Sequence, residues 1–272
     1  MSLDNEEKAV RALPLLDSYA KEATQLAEEL LADKIHFDAD ADHFGFMAMC
    51  FLAEQVGYME AVIKLVNLGL GKPSGLVARS MLEGMALLRW ARGRPERSMR
   101  WRFQVWIKDY QTMTRKLAAG EPVDPQYKTR VENALKIHGD LFLTTKAKKR
   151  KAAGESLPQN RSVRSWYAPN SLKRICAQIS ATPLYETIYQ PESERTHWGV
   201  ASVVKSVNRH EGGFVYASSA ISSDDATFLA VGFQSLLEVL QDVDEHLELG
   251  RDDDISDLRN RYVSELAGTQ IP

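Results

Sequence analysis

The feature that most limits the fold of this chain is a helical rhythm that hardly ever gives way to strand alternation. Residues 5–33 carry Leu15, Leu16, Tyr19, Ala23, Leu26 and Leu30 at three- and four-residue steps. That spacing gives one apolar face on a helix, or on two short helices parted at Pro14. Asp40 or Asp42 offers the N-cap of a long helix to about Leu70, closed by Gly71-Lys72-Pro73. Ser74 then caps a helix carrying Leu76, Val77, Met81, Leu82, Met85, Leu88 and Trp90. Beyond Gly93-Arg94-Pro95, another helix runs from about Glu96 to Ala119. Asp124-Pro125 opens the next, which continues into the Lys/Arg run at 146–151.

From Gly154 to Asn170 the periodicity stops and Gly, Pro, Ser, Asn and Arg prevail, so a mobile basic loop is expected at about 146–170. Helices resume at about 170–180 and at 191–206, the second started by Pro191. The Asn208–Gly213 turn is read as joining two helices, with a short hairpin near 203–217 as the alternative. Ser222 or Ser223 caps a long helix to about Leu249, and Asp252–Asp254 opens a last one ending near Ala267. The expectation is an all-α bundle of roughly eight helices in a single domain over residues 1–272.

Composition narrows the class. Of 272 residues, 44% are hydrophobic and 26% charged, enough for a sizeable core and too apolar for disorder. The acidic N-terminus lacks the basic-then-apolar pattern of a signal peptide. The most apolar stretch, Phe44 to Leu70, contains Glu54, Gln55, Glu60, Lys64 and Asn67, which suits a buried helix better than a bilayer span. Cys50 and Cys176 match no metal or redox spacing and read as two buried thiols in a reducing cytosol. A cytoplasmic, soluble protein without membrane contact follows. Charge is uneven: residues 89–151 hold 17 Lys and Arg against 6 Asp and Glu, whereas residues 223–272 hold 3 against 12. Such asymmetry fits a nucleic-acid surface, or regions that face one another within a subunit or a homo-oligomer.

Two polar stripes stand in this apolar setting. Arg79 and Glu83 are four apart, with Leu76, Leu82, Ala86 and Trp90 along or beside their face. Either they form a buried ion pair that fixes helix register, or the arginine holds an anion while the glutamate orients it or acts as a base. Tyr189, Ser193 and His197 repeat the same step. A hydrogen-bonded core histidine is the plain reading of the second stripe. If the two helices pack together, Glu83 orients His197 and the five residues become one polar site.

Other signatures fail. Glu194-x-x-His197 is a single copy of a motif that di-iron bundles need twice, echoed only by Asp40-x-x-His43, so no metal or other cofactor is expected. No Gly-x-Ser-x-Gly, His-Glu-x-x-His or Gly-x-Gly-x-x-Gly occurs. The basic run 146–151, with Arg161, Arg164, Lys173 and Arg174 and the neighbouring Trp166 and Tyr167, suits phosphate contact with base stacking. It suits a solvated helix end equally well.

Several of these residues carry a resemblance. Ala78-Arg79-Ser80-Met81-Leu82-Glu83, then Trp166, then Ser171-Leu172-Lys173-Arg174-Ile175, then Tyr185-x3-Tyr189-x3-Ser193-x3-His197 keep the order and spacing of a bacterial all-helical domain family of unknown function. The chain resembles that family over about 125 residues. The resemblance implies an all-helical fold and a family-typical polar set of Arg79, Glu83, Tyr189, Ser193 and His197, with no activity attached. A more distant analogy is to the HEPN superfamily, whose ribonucleases use an arginine followed after four to six residues by a histidine. Arg195 precedes His197 by two and Arg130 precedes His138 by eight, so the ribonuclease motif is missing.

The expectation is therefore a recessed polar site for a small anionic or phosphorylated ligand. Arg79 holds the anion, Tyr189 and Ser193 donate hydrogen bonds, and Glu83 and His197 are the candidates for any proton transfer. The competing expectations are a non-catalytic interaction or defence-associated module in which the polar set is structural, and nucleic-acid binding through 146–174.

Overall fold

The computed structural model describes residues 3–157, 162–163, 165–197, 207–210, 213–216 and 223–268. Arg161, Arg164, Ser222 and the 198–206 part of the expected 191–206 helix lie outside them. The fold is all-α. Helices α1 (Leu3–Ala32), α2 (His43–Asn67), α3 (Gly71–Ala91), α4 (Pro95–Ala118), α5 (Pro125–His138), α6 (Thr145–Ala152) and α7 (Leu172–Gln178) come first. A helical run follows: one turn, α8 (Thr182–Leu184), a π turn at Tyr185–Tyr189, and α9 (Gln190–Thr196). Next is an antiparallel hairpin, β1 (Val207–His210) with β2 (Gly213–Tyr216), in register from Val207 opposite Tyr216 to His210 opposite Gly213. Helices α10 (Ser223–Leu247) and α11 (Asp252–Gly268) close the chain. The residues on either side of 211–212 are thus short strands and not helices.

The chain divides into two compact units, one spanning 1–90 and 172–272 and the other 91–171. In the first, α1, α2 and α10 pack on one another and α11 packs on α1 and α10. Ala20, Ala23 and Ala27 of α1 are fully buried, and these small side chains bring the helices close enough for Met47, Leu52 and Met59 of α2 and Leu229, Leu236 and Leu240 of α10 to interdigitate. Gly232 serves the same end, since a Cβ there would lie 3.0 Å from the Met59 sulfur and 3.3 Å from that of Met81. Tyr19, Phe233 and Tyr262 form an aromatic cluster, with the Phe233 and Tyr262 rings 4.5 Å apart. Among the described residues α2 is the one helix long and apolar enough to cross a membrane. Its Met47, Ala48, Leu52, Met59 and Val62 belong to this core.

Cap chemistry settles the helix ends. Asp42, not Asp40, caps α2, its carboxylate accepting from the Gly45 N–H at 2.8 Å. Ser74 is not a cap. Helix α3 starts at Gly71, and the Ser74 hydroxyl, inside the first turn, donates to the Gly71 carbonyl at 2.6 Å. Pro73 fits there because first-turn N–H groups have no helical partner to lose.

In the second unit the expected helix through 125–151 is two. α5 ends at His138, a 3-10 turn covers Gly139–Phe142, Leu143 is extended, and Thr144 caps α6 by accepting from the Ala147 N–H. The segment after α6 is tied back: Val163 N–H donates to the Phe142 carbonyl at 2.8 Å, Trp166 is buried, and the Arg100 guanidinium donates to the Ala168 carbonyl at 3.0 Å.

Candidate functional site

The polar stripes meet where α3 runs antiparallel to the 182–196 run. Trp90 donates its indole N–H to Gln178, Tyr189 lies against Glu83 and Arg79, and Glu192 lies against Gly75. Later residues of one segment thus meet earlier turns of the other. A Cβ on Gly75 would fall 2.9 Å from the Glu192 carboxylate and 2.6 Å from the Phe228 ring of α10, so only glycine lets the segments approach this closely.

The π turn has a local cause. Pro191 has no N–H to return to the Thr187 carbonyl, and the Gln190 N–H reaches back five residues to the Tyr185 carbonyl. Such bulges collect at functional sites. This one stacks Tyr185 on Tyr189 at 5.2 Å with 20° between the rings, and presents Tyr189 to Arg79.

Arg79 and Tyr189 form the centre. The guanidinium carbon sits 4.5 Å from the Tyr189 ring centroid, and Nη2 donates to the Tyr189 hydroxyl at 3.0 Å. That hydroxyl donates to Glu83 Oε2 at 3.3 Å. Glu83 and Arg79 themselves stand 3.8 Å apart, close enough to attract but too far to hydrogen-bond. The Arg79 side chain is only 17% exposed, and its Nε–H is buried without a partner among the described residues. Burial raises the Tyr189 phenol above its ordinary range, opposed by the hydrogen bond from Arg79 and reinforced by the charge of Glu83, so the hydroxyl remains a neutral donor. Cys176 is buried nearby, its thiol pushed up mainly by desolvation and also by Glu83, whereas Cys50, expected to be buried as well, is only half-buried on α2.

Arg79, Glu83 and Tyr189 therefore converge. Ser193 and His197 share a helical stripe with Tyr189 but not its location. Ser193 is partly buried one turn on, and His197 is exposed at the end of α9, about 12 Å along the axis from Tyr189. Neither side chain bonds to Arg79 or Glu83 among the described residues. Spacing did not single out the pair beside them: buried Glu192 accepts from Arg195 Nη1 at 2.9 Å, and the Arg195 Nε–H is buried without a partner among the described residues. The three-residue interval was a signal, but one shared with many exposed pairs. Among the described residues no group of three or more His, Cys, Asp or Glu is placed to hold a metal ion.

A family of unknown function, DUF5677, matches residues 45–214, which include every residue of the site. The chain belongs to that family. Neither a curated protein nor a solved structure matches it.

Proposed function

We propose that this member of DUF5677 binds a small anionic or phosphorylated ligand at Arg79. One observation carries the reading: among the described residues one of the five guanidinium N–H donors is used on Tyr189, Glu83 stands beyond hydrogen-bond range, and the Nε–H is buried without a partner. A buried donor without an acceptor costs about 1–3 kcal/mol, which an anion would recover. In this reading Tyr189 holds the guanidinium plane, Glu83 orients it through the phenol, and Ser193, one turn on, donates its hydroxyl to a ligand that reaches past Tyr189. His197 carries a proton only for a ligand that extends along α9, so binding and not turnover is the core of the proposal. We place the protein in a bacterial cytoplasm, whose reducing environment would keep Cys50 and Cys176 as thiols.

Calorimetric titration with phenyl phosphate and with inorganic phosphate tests the reading. Saturable binding is expected, weakened at least about tenfold in Arg79→Ala and less in His197→Ala. Absence of binding, or affinity that survives Arg79→Ala in a folded protein, removes the proposal. The second reading, an interaction or defence-associated module with a structural polar set, is favoured by the closed Arg79–Tyr189–Tyr185 stack. It expects Glu83→Gln to lower the melting temperature sharply with no ligand to lose. A third reading, nucleic-acid binding through 146–174, is supported by the exposed Lys146 and Lys149 of α6.

A further inference from the structure

We infer a second ligand site, separate from Arg79, that takes a small molecule with an apolar body and a carboxylate head. A cavity of about 370 Å³ lies between α3, the 179–184 segment, α10 and α11. That volume falls among those of small-molecule pockets. Met85, Leu184, Val231, Leu237, Tyr262 and Val263 supply its apolar wall, and Val263, 59% exposed, marks the side open to solvent. Ser180, also on the wall, takes its left-handed φ of 61° as the residue that closes α7, where the Ala181 N–H returns to the Cys176 carbonyl at 2.8 Å, so the wall there is a fixed helix end.

The charged end of the cavity gives the head group. Glu238 pairs with Arg89 and accepts from Arg259 Nη2 at 3.2 Å. Arg89 also faces the buried Asp242 at 3.8 Å, so it stands between two carboxylates. Arg259 has only a share of Glu238. One of its five donors is used, it has no other partner among the described residues, and its side chain is 33% exposed. Spare guanidinium donors beside an apolar wall select a carboxylate on a hydrocarbon or aryl body over a plain hydrocarbon.

Octanoate serves as the probe and octan-1-ol as its uncharged counterpart, both titrated calorimetrically into the full chain. Octanoate is expected to bind. Arg259→Gln should weaken it at least about tenfold and change octanol by less than about twofold. Leu184→Trp, filling the cavity, should abolish binding of both, and Arg79→Ala should change neither. Failure of octanoate to bind overturns the inference, as does equal weakening of both probes by Arg259→Gln or undiminished binding in Leu184→Trp. Circular dichroism and melting temperature verify the fold of each variant. Val263→Trp, at the exposed rim, replaces Leu184→Trp if that variant does not fold.

Discussion

Arg79 shows what a single residue can reveal before its surroundings are known. Its four-step relation to Glu83 is local helix geometry and was legible from spacing alone. The phenol that positions it comes from 110 residues away, and no local pattern names that partner. Tyr189→Phe keeps the ring under the guanidinium and removes only the hydroxyl. It should cost roughly 1 kcal/mol of stability, less than the loss of a fully buried charge-assisted bond because the site is partly solvated, as measured by urea denaturation. Tyr189 also predicts a pH response. Its folded pKa is raised above 10.0, so at alkaline pH the folded chain retains a proton that the unfolded chain releases. The resulting stability is complete below the unfolded pKa and fades as pH rises through the folded one. Tyr19 and Tyr262 shift the same way. The melting temperature should therefore fall above about pH 10, and less steeply in Tyr189→Phe. Identical slopes would detach Tyr189 from the effect.

At the scale of elements, the helices were readable because their apolar periodicity and caps are local, and the errors lay where another local group competed. Thr144 offered a better cap than continued helix, which split 125–151, and Ser74 turned its hydroxyl inward to Gly71. The stripe Tyr189, Ser193, His197 lies on one helical face, yet a shared face does not give a shared location. Against an antiparallel neighbour, each turn past Tyr189 meets an earlier turn of α3, so Glu192 falls level with Gly75 and, among the described residues of the stripe, Tyr189 is the one that bonds to Arg79. That register depends on Gly75. Gly75→Ala would drive a methyl group into the Phe228 ring and the Glu192 carboxylate, and should cost about 1–3 kcal/mol despite alanine's better helix propensity. Thermal denaturation measures it, and a Gly75→Ala protein as stable as the parent would show that α3 and α9 are not packed this tightly.

For the whole molecule, the charge asymmetry seen in the sequence belongs largely to the two units. Residues 91–171 hold most of the basic excess, and the acidic C-terminal stretch lies in the other unit. This separation was legible in composition, whereas the division into units depends on long-range packing that periodicity does not encode. If the basic unit contacts nucleic acid, affinity for a single-stranded oligonucleotide should fall steeply between low and physiological salt, and further in Lys146→Glu/Lys149→Glu. Anisotropy that is flat with salt removes that role and leaves the anion site as the main lead. The most direct measurement on that site is the Nε–H resonance of Arg79 in a ¹⁵N-labelled protein, assigned by its loss in Arg79→Lys, during titration with phenyl phosphate. A saturable shift of this resonance, together with slowed exchange of its proton, is the predicted result; a resonance that stays still through the titration would contradict the assignment of Arg79 as the anion's anchor.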